Sequence, residues 1–294
     1  MGNEKSLKLY AMSMIIHPNR LVARINQWRY RLIPYIQNIA LDVGLLDGHQ
    51  DYARFIILGR SRSGSNFLRG LLNAHSRIIV LGELFQNQAS IGWAYPGYMQ
   101  NRQLLSLFRK EPVRFLESKV FKRFPKPIKA VGFKIFYYHA QNNDWIPVWD
   151  YLIRQNGLKV IHIKRNNILR THLSRKLAAL TDTWIDTTGG KDNHQGITLE
   201  YEECLRDFVQ TREWEQAHDR NFSDHEILQI TYEDLAHDYA REMARLQDFL
   251  GVTPEEVKPQ TFKQSSRLLS QSIVNYDELK ERFSGTSWES FFDE

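Results

Sequence analysis

Arginines, serines and glycines alternate over a short segment of this chain in the manner of loops that bind phosphate. The segment reads Gly59-Arg-Ser-Arg-Ser-Gly-Ser65, and Asn66 and Phe67 follow it. Backbone N–H groups at the start of a helix attract anions, and the planar fork of arginine donates to two anion oxygens at once. These residue types and their spacing therefore indicate binding of a phosphorylated ligand.

This segment lacks the lysine that an ATP- or GTP-binding loop carries. Gly59 and Gly64 stand where the two glycines of G-x-x-x-x-G-K-[ST] would be, but Ser65 replaces the lysine and Asn66 follows it. In that motif the lysine contacts the β- and γ-phosphates, and the next hydroxyl binds Mg²⁺. The expected ligand is therefore a phosphorylated nucleotide other than a magnesium triphosphate. The alternative is an ordinary strand-to-helix turn, in which glycine and serine are common.

Two strand-to-helix units position the residues that could do this chemistry. The apolar run Phe55–Leu58 predicts a buried strand before the loop, and residues 66–75 have helical spacing. A second strand, Lys159–Ile163, precedes Arg165, and Ser174 lies on the helix that follows. Ligands bind at the carboxyl ends of parallel strands, so we expect Arg165 on the same rim as the loop. Alternatively, Arg165 ends a strand and Ser174 faces water.

These two units together resemble those of the sulfotransferases that use 3′-phosphoadenosine 5′-phosphosulfate (PAPS). The motif [KR]-[ST]-G-[ST]-[ST], which binds the 5′-phosphosulfate in that family, reads Arg62-Ser-Gly-Ser-Asn66 here. The motif for the 3′-phosphate is a strand, an arginine and a serine on the next helix, here Arg165 and Ser174. Two departures are present: the spacing of Arg165 and Ser174 is one residue longer than usual, and Asn66 replaces a hydroxyl residue.

The bacterial carbohydrate-type branch, which includes trehalose and nodulation-factor sulfotransferases, is the most similar. It has a Gly-Glu-Leu/Phe segment, here within residues 81–85, and a Gly-Phe-Lys strand, here residues 131–134. The resemblance extends from residue 54 to the C-terminus. It implies an α/β fold with a P-loop-like parallel sheet flanked by helices in three layers, and PAPS as the co-substrate. The loop residues that it assigns to PAPS are Arg60, Ser61, Arg62, Ser63, Gly64, Ser65, Asn66 and Phe67.

The same resemblance assigns catalytic roles. Arg62 is expected to neutralise the 5′-phosphate as it becomes the leaving group, and Glu83 is the expected general base because it follows the short apolar run 78–81. His139 is a rival base, since histidine exchanges protons near neutral pH. Lys134 is a further candidate, which would assist the sulfuryl group or the acceptor.

Weaker signals concern the adenosine and the acceptor. Tyr232, after a predicted strand at residues 226–231, is expected to contact the adenine, and Lys263 and Arg267 lie in a polar loop that could close over the 3′-phosphate. Core packing and a solvated basic loop are the respective alternatives. A long polar stretch, residues 181–198, separates two predicted helices and is expected to shape the acceptor pocket. The aromatic residues expected to line that pocket are Trp93, Tyr95 and Tyr98.

Composition limits the function classes. The chain has 294 residues, 42% hydrophobic and 25% charged, which suits one α/β domain, expected at residues 51–294, after an N-terminal amphipathic helical extension at residues 1–50. One cysteine, Cys204, rules out an internal disulfide framework and suits a cytoplasmic location. The sequence contains no HExxH motif and no paired cysteines, so no metal is expected.

Charge bears on partners. The net charge of +5 indicates affinity for anions, but the basic residues are dispersed, so we expect a nucleotide ligand and no nucleic acid. The acceptor is expected to be a small molecule, a glycan or a secondary metabolite. The N-terminal extension, which contains Arg20, Arg24 and Arg29, suggests peripheral membrane contact or a homodimer, with packing on its own domain as the alternative.

Two other functions fit a P-loop-like fold. An ATP-dependent kinase is disfavoured by the missing lysine and by the absence of an obvious carboxylate for magnesium. A non-catalytic nucleotide-binding protein would bind the same ligand, and Glu83 would then be dispensable.

Overall fold

Five parallel strands form one sheet in the part of the chain that the structure describes. This structure is a computed structural model, and it describes residues 33–181, 196–259 and 267–293. The strand order is β2-β3-β1-β4-β5, and every neighbouring pair is parallel. The strands are β1 (Ala53–Gly59), β2 (Ile78–Glu83), β3 (Ala130–Phe136), β4 (Lys159–Lys164) and β5 (Ile227–Thr231).

Strand β1 occupies the centre of the sheet because its side chains are apolar on both faces. Phe55 and Ile57 pack in one buried cluster, whereas Ile56 and Leu58 pack in another on the opposite face. A strand buried on both faces reads as a continuous apolar run, which is the pattern of a covered parallel sheet. The predicted three-layer α/β fold and the predicted strands at Phe55–Leu58 and Lys159–Ile163 are therefore confirmed.

Helices cover both faces of the sheet. They are α1 (residues 33–42), α2 (Ser65–Ala74), α3 (Arg102–Lys110), α4 (Pro112–Phe115), α5 (Ile146–Arg154), α6 (Ile168–Thr181), α7 (Tyr201–Asn221), α8 (Tyr232–His237), α9 (Tyr239–Leu250), α10 (Leu269–Ser272) and α11 (Tyr276–Phe283). A π-helical turn, Leu116–Val120, continues α4, and a 3₁₀ turn, Glu289–Phe292, ends the described chain. No helix among these residues is both long enough and apolar enough to span a bilayer.

The order of the strands creates a crevice between β1 and β4. After β1 the chain crosses towards β2, and after β4 it crosses in the other direction, towards β5. Such a switch point leaves space for a ligand at the carboxyl ends of the two strands. The loop that follows β1 and Arg165, which follows β4, lie at the two sides of this crevice.

Helix α1 is attached to the sheet domain. Leu41 is buried, the Asp42 carboxylate accepts from the Lys122 ammonium at 2.7 Å, and the Asn38 amide donates to the Gly97 carbonyl at 3.2 Å. Most of the predicted extension, residues 1–32, lies outside the described residues. The division of the chain at residue 50 stays a prediction.

Tyr232 begins a helix instead of closing a strand. Strand β5 ends at Thr231, whose hydroxyl accepts from the backbone N–H of Asp234 at 3.1 Å and so caps α8. A threonine in this position satisfies an otherwise unpaired N–H of the first helical turn. The predicted strand end at residue 231 is therefore confirmed, but the backbone continues as a helix from Tyr232 onward.

Candidate functional site

The loop after β1 is held in one shape by its own contacts and by two left-handed residues. Arg62 and Gly64 have φ angles of 68° and 86°. The Ser63 hydroxyl donates to the Arg60 carbonyl at 2.8 Å, inside the protein. A Cβ atom on Gly64 would lie 2.4 Å from a ring carbon of Tyr232, so only glycine fits there. The loop thus arrives preformed at the N-terminus of α2.

The residues of the two predicted phosphate motifs meet in the crevice. Arg62 Nε donates to Ser174 Oγ at 2.8 Å. Arg165 Nη1 donates to the backbone carbonyl of Arg62 at 3.1 Å. The longer spacing between Arg165 and Ser174 does not prevent this meeting, because each of the two residues contacts Arg62. Both cations and the hydroxyl therefore lie on one face of the molecule.

The two arginines make the crevice strongly electropositive. Burial lowers the pKa of the Arg62 guanidinium, and the neighbouring Arg165 lowers it further. Burial also lowers the pKa of Arg165, although Tyr232 and Glu233 act in the opposite direction. Arg165 Nε has no hydrogen-bond partner among the described residues, and its nearest carboxylate oxygen, on Glu233, is 3.8 Å away. Adjacent, partly desolvated cations favour an anion between them.

Tyr232 orients Arg165. The guanidinium carbon lies 4.6 Å from the centroid of the tyrosine ring, and the same ring packs against Gly64. A guanidinium over an aromatic face is attracted by the ring quadrupole. The tyrosine therefore connects the two motifs, and its predicted contact with an adenine stays a prediction.

A buried lysine links the loop to Glu83. Lys134 Nζ lies 2.9 Å from Glu83 Oε1 and 2.5 Å from Asn66 Oδ1, and its side chain is 1% exposed. Burial lowers the pKa of Lys134 to about 8, although the carboxylate of Glu83 opposes the shift. Glu83 ends β2 as predicted and is 28% exposed, so its carboxylate borders both the lysine and solvent. Because Asn66 accepts through its oxygen, its amide N–H groups are the part that can donate to an anion.

His139 lies close to this pair but deeper in the protein. Its side chain is buried, with Nδ1 3.1 Å from the Leu84 carbonyl. Burial lowers the pKa of His139 to about 4, so the ring is neutral near pH 7. Nε2 has no hydrogen-bond partner in the described part of the chain. The better exposed Glu83 is the more accessible base.

Tyr138 also borders the candidate site, although no motif in the sequence marks it. Its hydroxyl accepts from the backbone N–H of Ser61 at 3.1 Å, so the phenol borders the loop. The ring also lies 5.3 Å from that of His139, edge to face. The signal in the sequence was the aromatic run before His139, which continues past the end of β3 at Phe136 into a turn beside the loop.

Arg60 is directed away from the crevice, which corrects the prediction that its side chain binds the nucleotide. The residue is 3% exposed, and its guanidinium pairs with Asp207 on α7, with Nη2 3.0 Å from Oδ1. It also donates to the Thr211 hydroxyl and lies over the Trp214 ring. Only the backbone of Arg60 belongs to the anion-binding loop.

Of the aromatic residues predicted to line the acceptor pocket, Trp93 is a core residue and the two tyrosines are half-buried against the core. Trp93 is 6% exposed and packs against Phe115 at 5.1 Å between ring centroids, which corrects its predicted role in stacking on an acceptor. Tyr98 is half-buried against the Trp93 ring, with 4.8 Å between ring centroids, and burial of its hydroxyl raises the pKa of that group well above its usual value. Tyr95 is half-buried, edge to face with Tyr98. The backbone of this segment nevertheless borders β2, since the Gly82 N–H donates to the Trp93 carbonyl at 2.6 Å.

Two predicted regions add little to this geometry. Lys263 and most of the predicted acceptor loop, residues 182–195, lie outside the described residues. The carbonyl of Arg267 lies 3.4 Å from the Arg170 guanidinium, which places that residue beside α6.

Comparison with known proteins gives relatives for most of the chain. A family model described as "Sulfotransferase family" matches residues 157–256, which include Arg165, Ser174 and Tyr232. Nodulation protein H of Rhizobium tropici is 28% identical over 246 residues, which are 81% of this chain and 92% of that protein. Nodulation protein H of Rhizobium meliloti (strain 1021) is 26% identical over 81% of this chain and 94% of that protein. A sulfotransferase crystal structure from Alicyclobacillus acidocaldarius aligns over 81% of this chain and 90% of its own, with a TM-score of 0.44 and 16% identity.

Proposed function

We propose that this chain moves the sulfuryl group of PAPS to a hydroxyl or amine of a small-molecule or carbohydrate acceptor. The similarity of residues 157–256 to a sulfotransferase family model supports this reaction. The observation that carries the choice of donor is the meeting of Arg62, Ser174 and Arg165 in one crevice. A ligand with phosphate groups on both ends of its ribose matches two adjacent cationic positions, whereas a magnesium triphosphate matches a lysine that this loop lacks.

The residues of the loop and of α6 would divide the donor between them. Arg62 and the N–H groups at the start of α2 would hold the 5′-phosphosulfate, and Arg165 with Ser174 would hold the 3′-phosphate. In the transfer the acceptor oxygen or nitrogen forms a bond to sulfur, and the bond from sulfur to the bridging oxygen breaks. The bridging oxygen leaves on the 5′-phosphate, where Arg62 neutralises the charge that develops.

Glu83 would take the proton of the acceptor. Its carboxylate is partly exposed, at the end of a strand, and Lys134 fixes one of its oxygens at 2.9 Å. The lysine in turn contacts Asn66 of the loop, so the base and the donor site share one ammonium group. That ammonium is also placed to stabilise charge on the sulfuryl oxygens during transfer.

The function is tested by two measurements on the full chain. Calorimetry should give tighter binding of adenosine 3′,5′-bisphosphate than of ATP, and an assay with labelled PAPS should show transfer to at least one acceptor in an extract. Tighter binding of ATP together with phosphate transfer would identify a kinase. If the protein binds the bisphosphate but no extract fraction gives a labelled product, the protein binds the nucleotide without catalysing sulfuryl transfer.

The buried ammonium of Lys134 predicts how turnover depends on pH. Its pKa of about 8 means that the positive charge is present below pH 8 and is lost as the pH rises further. We therefore expect kcat to fall above about pH 8. Lys134→Met should remove this dependence and lower kcat at pH 7 by about 100-fold, as for loss of one charge-stabilising donor. Lys134→Arg keeps its charge and should extend activity to higher pH; an unchanged pH profile in the Met variant contradicts the assignment.

Peripheral membrane contact through α1 remains a proposal, supported by its outward face. Ile33, Ile36 and Ile39 are 47%, 55% and 44% exposed. Apolar side chains on such a helix can enter the boundary between headgroups and acyl chains. Vesicles of phosphatidylcholine and phosphatidylserine should co-sediment the wild-type chain, and Ile36→Asp should weaken this while Ile146→Asp, at an exposed position on α5, should not. Equal sedimentation of both variants, or a dimer in solution that buries Ile36, would argue against the membrane.

A further inference from the structure

We propose that Asp207 is a positioning residue for the donor site. It lies outside that site, on α7, and holds Arg60 of the loop and Arg175 of α6 in fixed positions. The proposal rests on the proposed function, because it concerns how the same site holds its nucleotide. It assigns a role to a carboxylate that touches neither phosphate motif.

One carboxylate gathers three basic side chains from two elements. Asp207 Oδ1 lies 3.0 Å from Arg60 Nη2 and 2.6 Å from Arg175 Nη2. Oδ2 lies 3.3 Å from His172 Nδ1. Arg60 comes from the loop, whereas His172 and Arg175 come from α6. Asp207 is therefore the place where helix α7 joins the two elements that carry the phosphate motifs.

Because these side chains are buried, Arg60 needs the Asp207 carboxylate as its counter-charge. The side chains of Arg60 and Asp207 are 4% and 15% exposed. Burial raises the pKa of the Asp207 carboxyl, but hydrogen bonds from His172 and Arg175 outweigh this effect and the pKa lies below its usual value. A guanidinium cannot lose its proton in a protein, so a buried one needs a counter-charge. Without Asp207 the Arg60 side chain would have to leave its position, and the loop would move with it.

Chain connectivity carries such a movement to the donor site. Arg60 lies two residues before Arg62, and Arg175 is the neighbour of Ser174. Arg62 and Ser174 contact each other at 2.8 Å in the crevice. Their sequence neighbours Arg60 and Arg175 both bind the Asp207 carboxylate, so this carboxylate fixes the backbone on both sides of the contact. A displacement of about 1 Å in a positioned group can cost about 100-fold in rate.

The fold does not depend on this carboxylate alone. On the same helix, Cys204 and Phe208 are fully buried in an apolar cluster with Leu169 and Leu279. We therefore expect Asp207→Asn to remain folded, with its effect concentrated on the donor. A purely structural residue would lower the amount of active protein and leave the KM for PAPS unchanged.

The test compares three variants with the wild-type chain by calorimetry and steady-state kinetics. Asp207→Asn should raise the Kd of adenosine 3′,5′-bisphosphate and the KM for PAPS by about 10- to 100-fold, with the acceptor KM unchanged. Asp207→Glu should restore part of the affinity, because the charge returns on a longer side chain. Glu213→Gln, an exposed substitution on the same helix, is the matched control and should resemble the wild type.

The outcomes separate this inference from the proposed function. If the wild-type chain binds no bisphosphate, the proposed function fails. If the wild type binds it and folded Asp207→Asn has the same Kd, the positioning role is refuted. Should Asp207→Asn not fold, Arg175→Gln removes the shorter of the two contacts between Asp207 and α6, at a side chain 24% exposed, and leaves the His172 contact in place. That variant should raise the Kd by about 10-fold, and an unchanged Kd would equally refute the role.

Discussion

Arg62→Met should weaken binding of adenosine 3′,5′-bisphosphate by about 100-fold, which corresponds to about 3 kcal/mol. The Arg62 guanidinium donates to the Ser174 hydroxyl and lies beside Arg165. Because the crevice is partly buried, the attraction of this guanidinium for a phosphate is stronger than it would be in water. Calorimetry at constant ionic strength measures the effect, since salt screens exposed charges. Arg62→Lys should lie between the variant and the wild type, because it keeps the charge but loses the planar fork.

Arg154→Met is the matched control for this prediction. Arg154 is exposed at the end of α5, so its loss changes the net charge of the protein equally without touching the crevice. If the two methionine variants bind the nucleotide equally well, the affinity comes from the overall positive charge and the proposed donor site is wrong.

Glu83→Gln should lower kcat by about 100- to 10,000-fold, the range for loss of a general base, and leave the Kd of the bisphosphate unchanged. Glutamine has nearly the same shape and can still accept from Lys134, but it cannot take the proton of the acceptor. Single-turnover measurements with saturating PAPS separate this chemical step from donor binding.

His139→Gln distinguishes the rival base. The ring is buried and its pKa of about 4 makes it a weak base, so we expect a loss of less than about 10-fold in kcat. A large loss in the histidine variant combined with normal turnover in Glu83→Gln would transfer the role of base to His139.

The sheet and the meeting of the phosphate motifs could be predicted because they depend on local patterns. Continuous apolar runs identified β1 and β4, and parallel strands place their carboxyl ends on one rim. Arg62 and Arg165 follow β1 and β4, and Glu83 is the last residue of β2. These residues lie on the same rim of the sheet because their strands are parallel, and the apolar runs in the sequence were enough to predict that arrangement.

The directions of individual side chains could not be predicted in the same way. Arg60 and Arg62 are two residues apart in one loop, yet only Arg60 turns inward, where it pairs with Asp207. Since Asp207 lies 147 positions away in the sequence, no local pattern reveals this pairing. Lys134 is buried, although lysines on strands are usually solvated, because Glu83 and Asn66 both accept from it. Trp93 belongs to the core because it packs against residues from other segments of the chain, such as Phe115, and no local sequence pattern reveals those contacts.

The crevice between β1 and β4 joins parts of the chain that are far apart in sequence. Arg62 and Ser174, which touch there, are separated by 112 positions. A folding intermediate in which only β1, β2 and β3 had assembled would contain the glycine-rich loop and lack its partners from α6. The proposed nucleotide site thus requires the completed chain, and we expect a ligand bound there to stabilise the whole sheet against partial opening.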